Sequence, residues 1–248
     1  MKPYEYIEEF KIKYCDVDFK DEMKVSTALS LMEEGACGSA DELGFGYEYV
    51  KPKGYAFIVS NIYLECKSSI PLGTTVRVKT WPKVPSRVVF GREYQLEDEQ
   101  GNSLIDATSR WCLIDLQEGK ILQSKLIDNQ DFSTYNTREL FENVKWKIPE
   151  FSVEEGELRF ILHVANSEYD HNMHVNNTRY ADYCFNCFSV AELSQKKLKK
   201  FSLAYVKQCH EGETLRFYRK ETDDATLVCG VNGEDETVVR AEICFESV

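Results

Sequence analysis

Long apolar runs, histidine, tryptophan and proline are all scarce in this 248-residue chain, and positive charge is outweighed by negative. No segment approaches eighteen uninterrupted apolar residues, so we expect no membrane insertion. The opening "MKPYEYIEEFKIKY" lacks the apolar core of a secretory signal, and a cytoplasmic protein is the expectation. Lys and Arg number 30 against 42 Asp and Glu, a net charge of -12. That balance argues against nucleic acid as a partner, because phosphate contacts need a basic face. Nine cysteines form an odd set without a repeating framework, which fits a reduced compartment better than a disulfide scaffold. What remains is a globular composition, 43% hydrophobic, long enough for one large or two modest domains.

An internal repeat organises the chain. Offset by 150 residues, the segment 10–43 lies on 160–193 without a gap, with identities that include Phe10/Phe160, Met23/Met173, Cys37/Cys187 and Glu42/Glu192. Each copy reads as an alternating strand ("EFKIKYCDVDF", "LRFILHVANSEY"), a polar loop, and a helix expected to be capped by Ser26 or Asn176. The helical stripes are Leu29, Met32 and Ala36 in one copy and Tyr180, Cys184, Cys187, Phe188 and Ala191 in the other. Four period-two strands follow each helix, "YAFIVSNIYLEC", "TTVRVKTW", "RVVFGREYQLED" and "SLIDATSRWCLIDL", then "SLAYVKQC", "TLRFYRKE", "ATLVCGVNG" and "TVVRAEICFE". This is an α+β pattern in which a sheet wraps a helix, twice.

The copies differ in one loop. Half of the four histidines fall within "SEYDHNMHVNNTRY", residues 167–180. In the 150-residue register Lys20, Glu22 and Lys24 stand opposite Asp170, Asn172 and His174, so the polar trio exists only once. Alternate positions in an extended segment point to one side, which would gather the three. Asn176 and Asn177 read as capping groups, and His171 as exposed. Cys184-x-x-Cys187 has no second pair to complete a metal site, and its spacing suits a helix core.

The run Asp170-x-Asn172-x-His174-Val175-Asn176-Asn177-x-Arg179-Tyr180 resembles the signature of acyl-acyl-carrier-protein thioesterases, plant and bacterial enzymes that end fatty-acid synthesis. "SRWCLIDLQEGK" also resembles a segment of that family's first domain. The resemblance implies two tandem hot-dog domains. These would be an acyl-binding domain over 1–130, a linker over 131–150 and a catalytic domain over 151–248. It implies Asp170, Asn172 and His174 as catalytic residues, together with an acid–cysteine pair that falls on Gln208 and Cys209. Gln208 departs from the family's acid and cannot act as a base. Acyl carrier protein is the implied partner, with no cofactor or metal, and a monomer or homodimer as the assembly.

Thioester hydrolysis requires an activated nucleophile, a stabilised oxyanion and a proton for the departing thiol. A neutral-range imidazole suits the proton traffic. The expected roles are His174 and Asp170 activating water, Asn172 or Gln208 orienting it, and helix-start amides polarising the carbonyl. Cys209 as a nucleophile activated by His174 is the rival route. The run "KKLKK" reads either as a helix end or as a docking patch for the acidic carrier protein, through Lys196, Lys197, Lys199 and Lys200. An acyl-CoA thioesterase, a hot-dog dehydratase and a non-catalytic acyl-binding protein are the competing functions.

Overall fold

Each alternating stretch of the sequence becomes a strand of one continuous antiparallel sheet in the computed structural model, which describes residues 3–127, 131–170 and 173–247. The first half supplies β1 (Tyr6–Lys11), the helices α1 (Val25–Glu42) and α2 (Tyr47–Val50), and β2 (Tyr55–Cys66). It continues with β3 (Thr75–Pro82), β4 (Phe90–Glu97), β5 (Ser103–Asp115) and the short β6 (Lys120–Ile121). The second half supplies β7 (Glu157–His163), α3 (Arg179–Phe185), α4 (Val190–Leu193), β8 (Lys196–Tyr205), β9 (Thr214–Glu221), β10 (Thr226–Val231) and β11 (Thr237–Ser247). The strand order is β1-β3-β4-β5-β2-β8-β11-β10-β9-β7, the same five-strand arrangement met twice and mirrored about the β2–β8 seam.

At that seam Leu64 lies opposite Phe201 and Ile62 opposite Leu203, all buried in a single core cluster that runs through both halves. The α1 stripe of Leu29, Met32 and Ala36 is buried as its spacing predicts. Gly35 lets α1 approach the sheet: a Cβ there would stand 3.3 Å from Val78 Cγ1.

The duplication is present, but its register differs from the gapless one. Ile12 N–H donates to Thr74 O as Val164 N–H donates to Glu213 O; Asp18 N–H donates to Glu22 O as Asp170 N–H donates to His174 O. Lys24 N–H likewise reaches Asp16 O as Asn176 N–H reaches Glu168 O. Equivalent residues are therefore 152 apart, and the buried helix positions agree, Met32 with Cys184 and Ala36 with Phe188. The residues facing Asp170, Asn172 and His174 are Asp18, Lys20 and Glu22. Strand side chains repeat every two residues, so a shift of two keeps every residue on its own face and alternation cannot detect it.

Three further expectations are corrected. The second helix does not run through Ala191. It ends at Phe185, the freed Cys187 carbonyl accepts from Arg219 and Arg159 at 3.0 and 3.2 Å, and a Ser189–Glu192 capping box starts α4. "SLAYVKQC" stops being a strand at Tyr205, so Gln208 and Cys209 lie in the loop before β9. "KKLKK" is the start of β8, not a helix end. Capping shifts as well: Lys24 and Thr178 occupy the N-cap positions, while Asn176 Oδ1 accepts from Thr178 N–H at 2.8 Å in the turn before α3.

Phe201 is fully buried where β8 pairs with both β2 and β11. Phe201→Ala is expected to cost about 3–5 kcal/mol of unfolding free energy, read from the urea midpoint. A loss under ~1 kcal/mol would mean that the seam does not hold the halves together.

Candidate active site

The loop between β7 and α3 is a tight, cross-braced corner. Tyr169 bridges Val175, Asp170 N–H donates to His174 O at 3.0 Å, and Met173 N–H donates to Asp170 O at 3.2 Å. Met173 takes a left-handed φ of 64°, which turns the chain sharply enough to bring Asp170 and His174 together. His174 Nδ1 lies 3.1 Å from Val175 O and 3.8 Å from Asp170 Oδ2. A carbonyl can only accept, so Nδ1 carries a proton, and in the neutral ring Nε2 presents the lone pair. Asn172 and His171 lie outside the described residues.

The first half adds a carboxylate that sequence reasoning passed over. Asn177 does not cap a helix; its Nδ2 donates to Glu33 Oε1 at 3.2 Å, across from one copy to the other. Burial pushes the Glu33 carboxyl from its ordinary 4.5 up to about 7; the charges of Asp170 and Glu34 add to this and the Asn177 hydrogen bond opposes it. Glu33 sits four residues after Leu29, between Met32 and Ala36. An acid beside the apolar stripe of α1 was the available signal.

Glu33 and Met173 both line a cavity of about 380 Å³ that runs under α1, walled by Ala36, Ala40, Phe57 and Phe90. Phe132 and Tyr135 close it, so the stretch expected to be a linker forms part of the wall. The cavity is mostly apolar, with Glu33 on its wall and Met173 reaching it from the second half, which suits an acyl chain with a reactive end.

Residues 3–125 match the model of the acyl-ACP thioesterase N-terminal domain, and residues 152–247 match that of the C-terminal domain. The chain belongs to the acyl-ACP thioesterase family. It is 23% identical over 243 residues to oleoyl-acyl carrier protein thioesterase 1 of Arabidopsis thaliana, covering 92% of this chain and 66% of that protein. An acyl-ACP thioesterase structure from Bacteroides thetaiotaomicron superposes with a TM-score of 0.88 at 22% identity, covering 98% of each chain. The 12:0-ACP thioesterase of Umbellularia californica superposes at 0.87 with 17% identity and the same coverage. The expected tandem hot-dog fold is thus observed.

Within this thioesterase fold, the other expected site residues fare unequally. Cys209 is fully buried, its Sγ 3.9 Å from Lys207 O and hydrogen-bonded with Tyr180 rather than His174. Burial pushes its thiol up to about 11, far from a thiolate at neutral pH. Gln208 is exposed in the same loop. The amides at the start of α3 are already taken: Thr178 N–H by Asn176 Oδ1, and those of Arg179, Tyr180 and Ala181 by turn carbonyls. The expected oxyanion role therefore does not fall to them. Of the lysines, Lys196 and Lys197 line a different cavity, and Lys200 pairs with Glu65 at 2.8 Å, leaving Lys199 exposed.

Timed alkylation at pH 8, mapped by mass spectrometry, is expected to modify the exposed Cys15 while Cys209 stays unmodified until the chain unfolds. Rapid native-state labelling of Cys209 would restore it as a nucleophile.

Proposed function

We propose that the chain hydrolyses the thioester of acyl chains carried on acyl carrier protein and releases a free fatty acid. One observation carries this reading. Glu33 of the first half lines an apolar cavity together with Met173, accepts from Asn177 of the second half and feels the charge of Asp170, which lies 3.8 Å from His174. Family membership supports the substrate class. Because the chain spans 66% of the Arabidopsis relative's length, the activity rests on the site as well as on the kinship.

The chemistry follows from the groups in place. The acyl chain lies in the cavity with its thioester carbonyl by Met173. Water attacks the carbonyl carbon and passes a proton to His174 Nε2, whose Nδ1–H is held by the Val175 carbonyl with Asp170 behind it. The carbon–sulfur bond then breaks, and the imidazolium returns the proton to the departing thiolate. Glu33, ionised above about 7, accepts the water's other hydrogen and orients its lone pair. It supplies, from the other half, the carboxylate that Gln208 lacks. The buried Cys209 thiol makes the acyl-enzyme route the weaker one. Carrier protein docks on the face around this cavity, not at Lys196 and Lys197, which flank the opposite one.

His174→Ala is expected to lower the rate of thiol release by ~10²–10⁴-fold, while Cys209→Ala folds and keeps most of the rate. An acyl adduct on Cys209, trapped by rapid quench and lost together with activity in Cys209→Ala, would reverse that assignment.

Glu33 has a signature of its own. The folded chain holds the Glu33 proton more tightly than the unfolded chain, so its unfavourable contribution grows from pH 4.5 to about 7 and persists above. The cost is at most roughly 3 kcal/mol. Glu33→Gln should raise stability at pH 8, leave it nearly unchanged at pH 4, and flatten the rise in hydrolysis through pH 7. A variant less stable at pH 8 with an unchanged rate profile would make Glu33 a packing residue only.

A further inference from the structure

A second cavity, of about 610 Å³, is lined by Asp18, Lys20 and Glu22 from the first half and by Phe185 and Phe188 from the second. In the 152-residue register these are the counterparts of Asp170, Asn172 and His174, and of Glu33 and Ala36. It therefore occupies, in the other half of the duplication, the corner and helix positions that the candidate active site takes from Asp170, His174 and Glu33. Phenylalanine stands where the candidate site has the Glu33 carboxylate, and glutamate is the equivalent of His174, so the hydrolytic chemistry is absent. The apolar walls remain.

Its ion pairs leave two lysines over. Asp18 accepts from the backbone of Lys20 and Glu22 at 2.8 and 3.3 Å, and Glu22 pairs with Lys20 at 3.2 Å. Glu168 takes the Tyr183 hydroxyl and lies 3.4 Å from Arg179. Asp182 accepts from the Ser26 hydroxyl at 2.6 Å. The lining carboxylates are thus engaged. Lys24 and Lys196 are half-buried on the same wall, and among the described residues neither has a carboxylate within salt-bridge distance. Lys196 Nζ instead lies 4.8 and 5.3 Å over the Phe245 and Phe188 rings. Lys24 is the N-cap of the 18-residue α1, whose first turn holds no acidic residue, so the positive end of that helix adds to the surplus.

We propose that this second cavity binds a long-chain amphiphile with an anionic head, a free fatty acid. The tail packs among Phe185, Phe188, Leu198 and Phe245, and the carboxylate answers Lys24 and Lys196. A cavity of this size falls in the range that takes whole small ligands, and partly desolvated cations bind carboxylate more strongly than exposed ones. This cavity can hold such a ligand whether or not the other one hydrolyses thioesters.

Isothermal titration of the intact chain with dodecanoate tests it. Lys24→Glu/Lys196→Glu reverses the charge, and Leu198→Trp fills the cavity without altering charge; circular dichroism checks that each folds. The expected result is one dodecanoate equivalent, present in wild type, that is lost in both variants, with dodecan-1-ol binding there at least tenfold more weakly. Equal stoichiometry in wild type and both variants would overturn the proposal. So would dodecan-1-ol that matches dodecanoate at the site the variants remove.

Discussion

Antiparallel pairing of β2 with β8 is the constraint on which the rest depends. It joins two five-strand units into one sheet and buries Leu64, Phe201 and Leu203 at the join. It also sets the loop of each half beside the helix of the other. The second cavity could not form within a single half, because it takes its polar lip from one copy and its helical wall from the other, while the first is walled by the first half and meets the second at Met173. Single hot-dog units would need a second chain to obtain this arrangement; here the covalent duplication provides it.

Once the halves are paired, two similar cavities exist and sequence divergence can specialise them. The side that receives α1 from the first half keeps a half-buried acid at Glu33, which accepts from Asn177 and feels the charge of Asp170. The other side receives the shorter α3 with Phe185 at its end and Phe188 just beyond it, and a loop of Asp18, Lys20 and Glu22. The cost of holding Glu33 in a dry environment is tolerable in a chain with so large a shared core, and strain of this kind is characteristic of groups kept for chemistry rather than for stability.

The broken second helix has the same origin. A long helix like α1 would fill the second half as it does the first, but Arg159 and Arg219 capture the Cys187 carbonyl and Glu192, and the capping box at Ser189 restarts the chain in a new direction. Apolar periodicity carried on through Phe188 because those side chains are still buried, only no longer on one helix.

Local patterning by itself determined the strands, the first helix, the duplication and the single polar corner, since each is written in side-chain periodicity or in clustered residue types. The register of the duplication was not legible, because a two-residue slip is invisible to an alternating strand. Nor was the partner of Asn177: Glu33 lies 144 residues away, and only the seam brings them to 3.2 Å. The resemblance offered Cys209 as a nucleophile, yet its burial against Tyr180 is a property of packing. Residue types and short spacings were decided locally. Which groups share a cavity, and which charges go unanswered there, was decided only when two distant halves closed on one another.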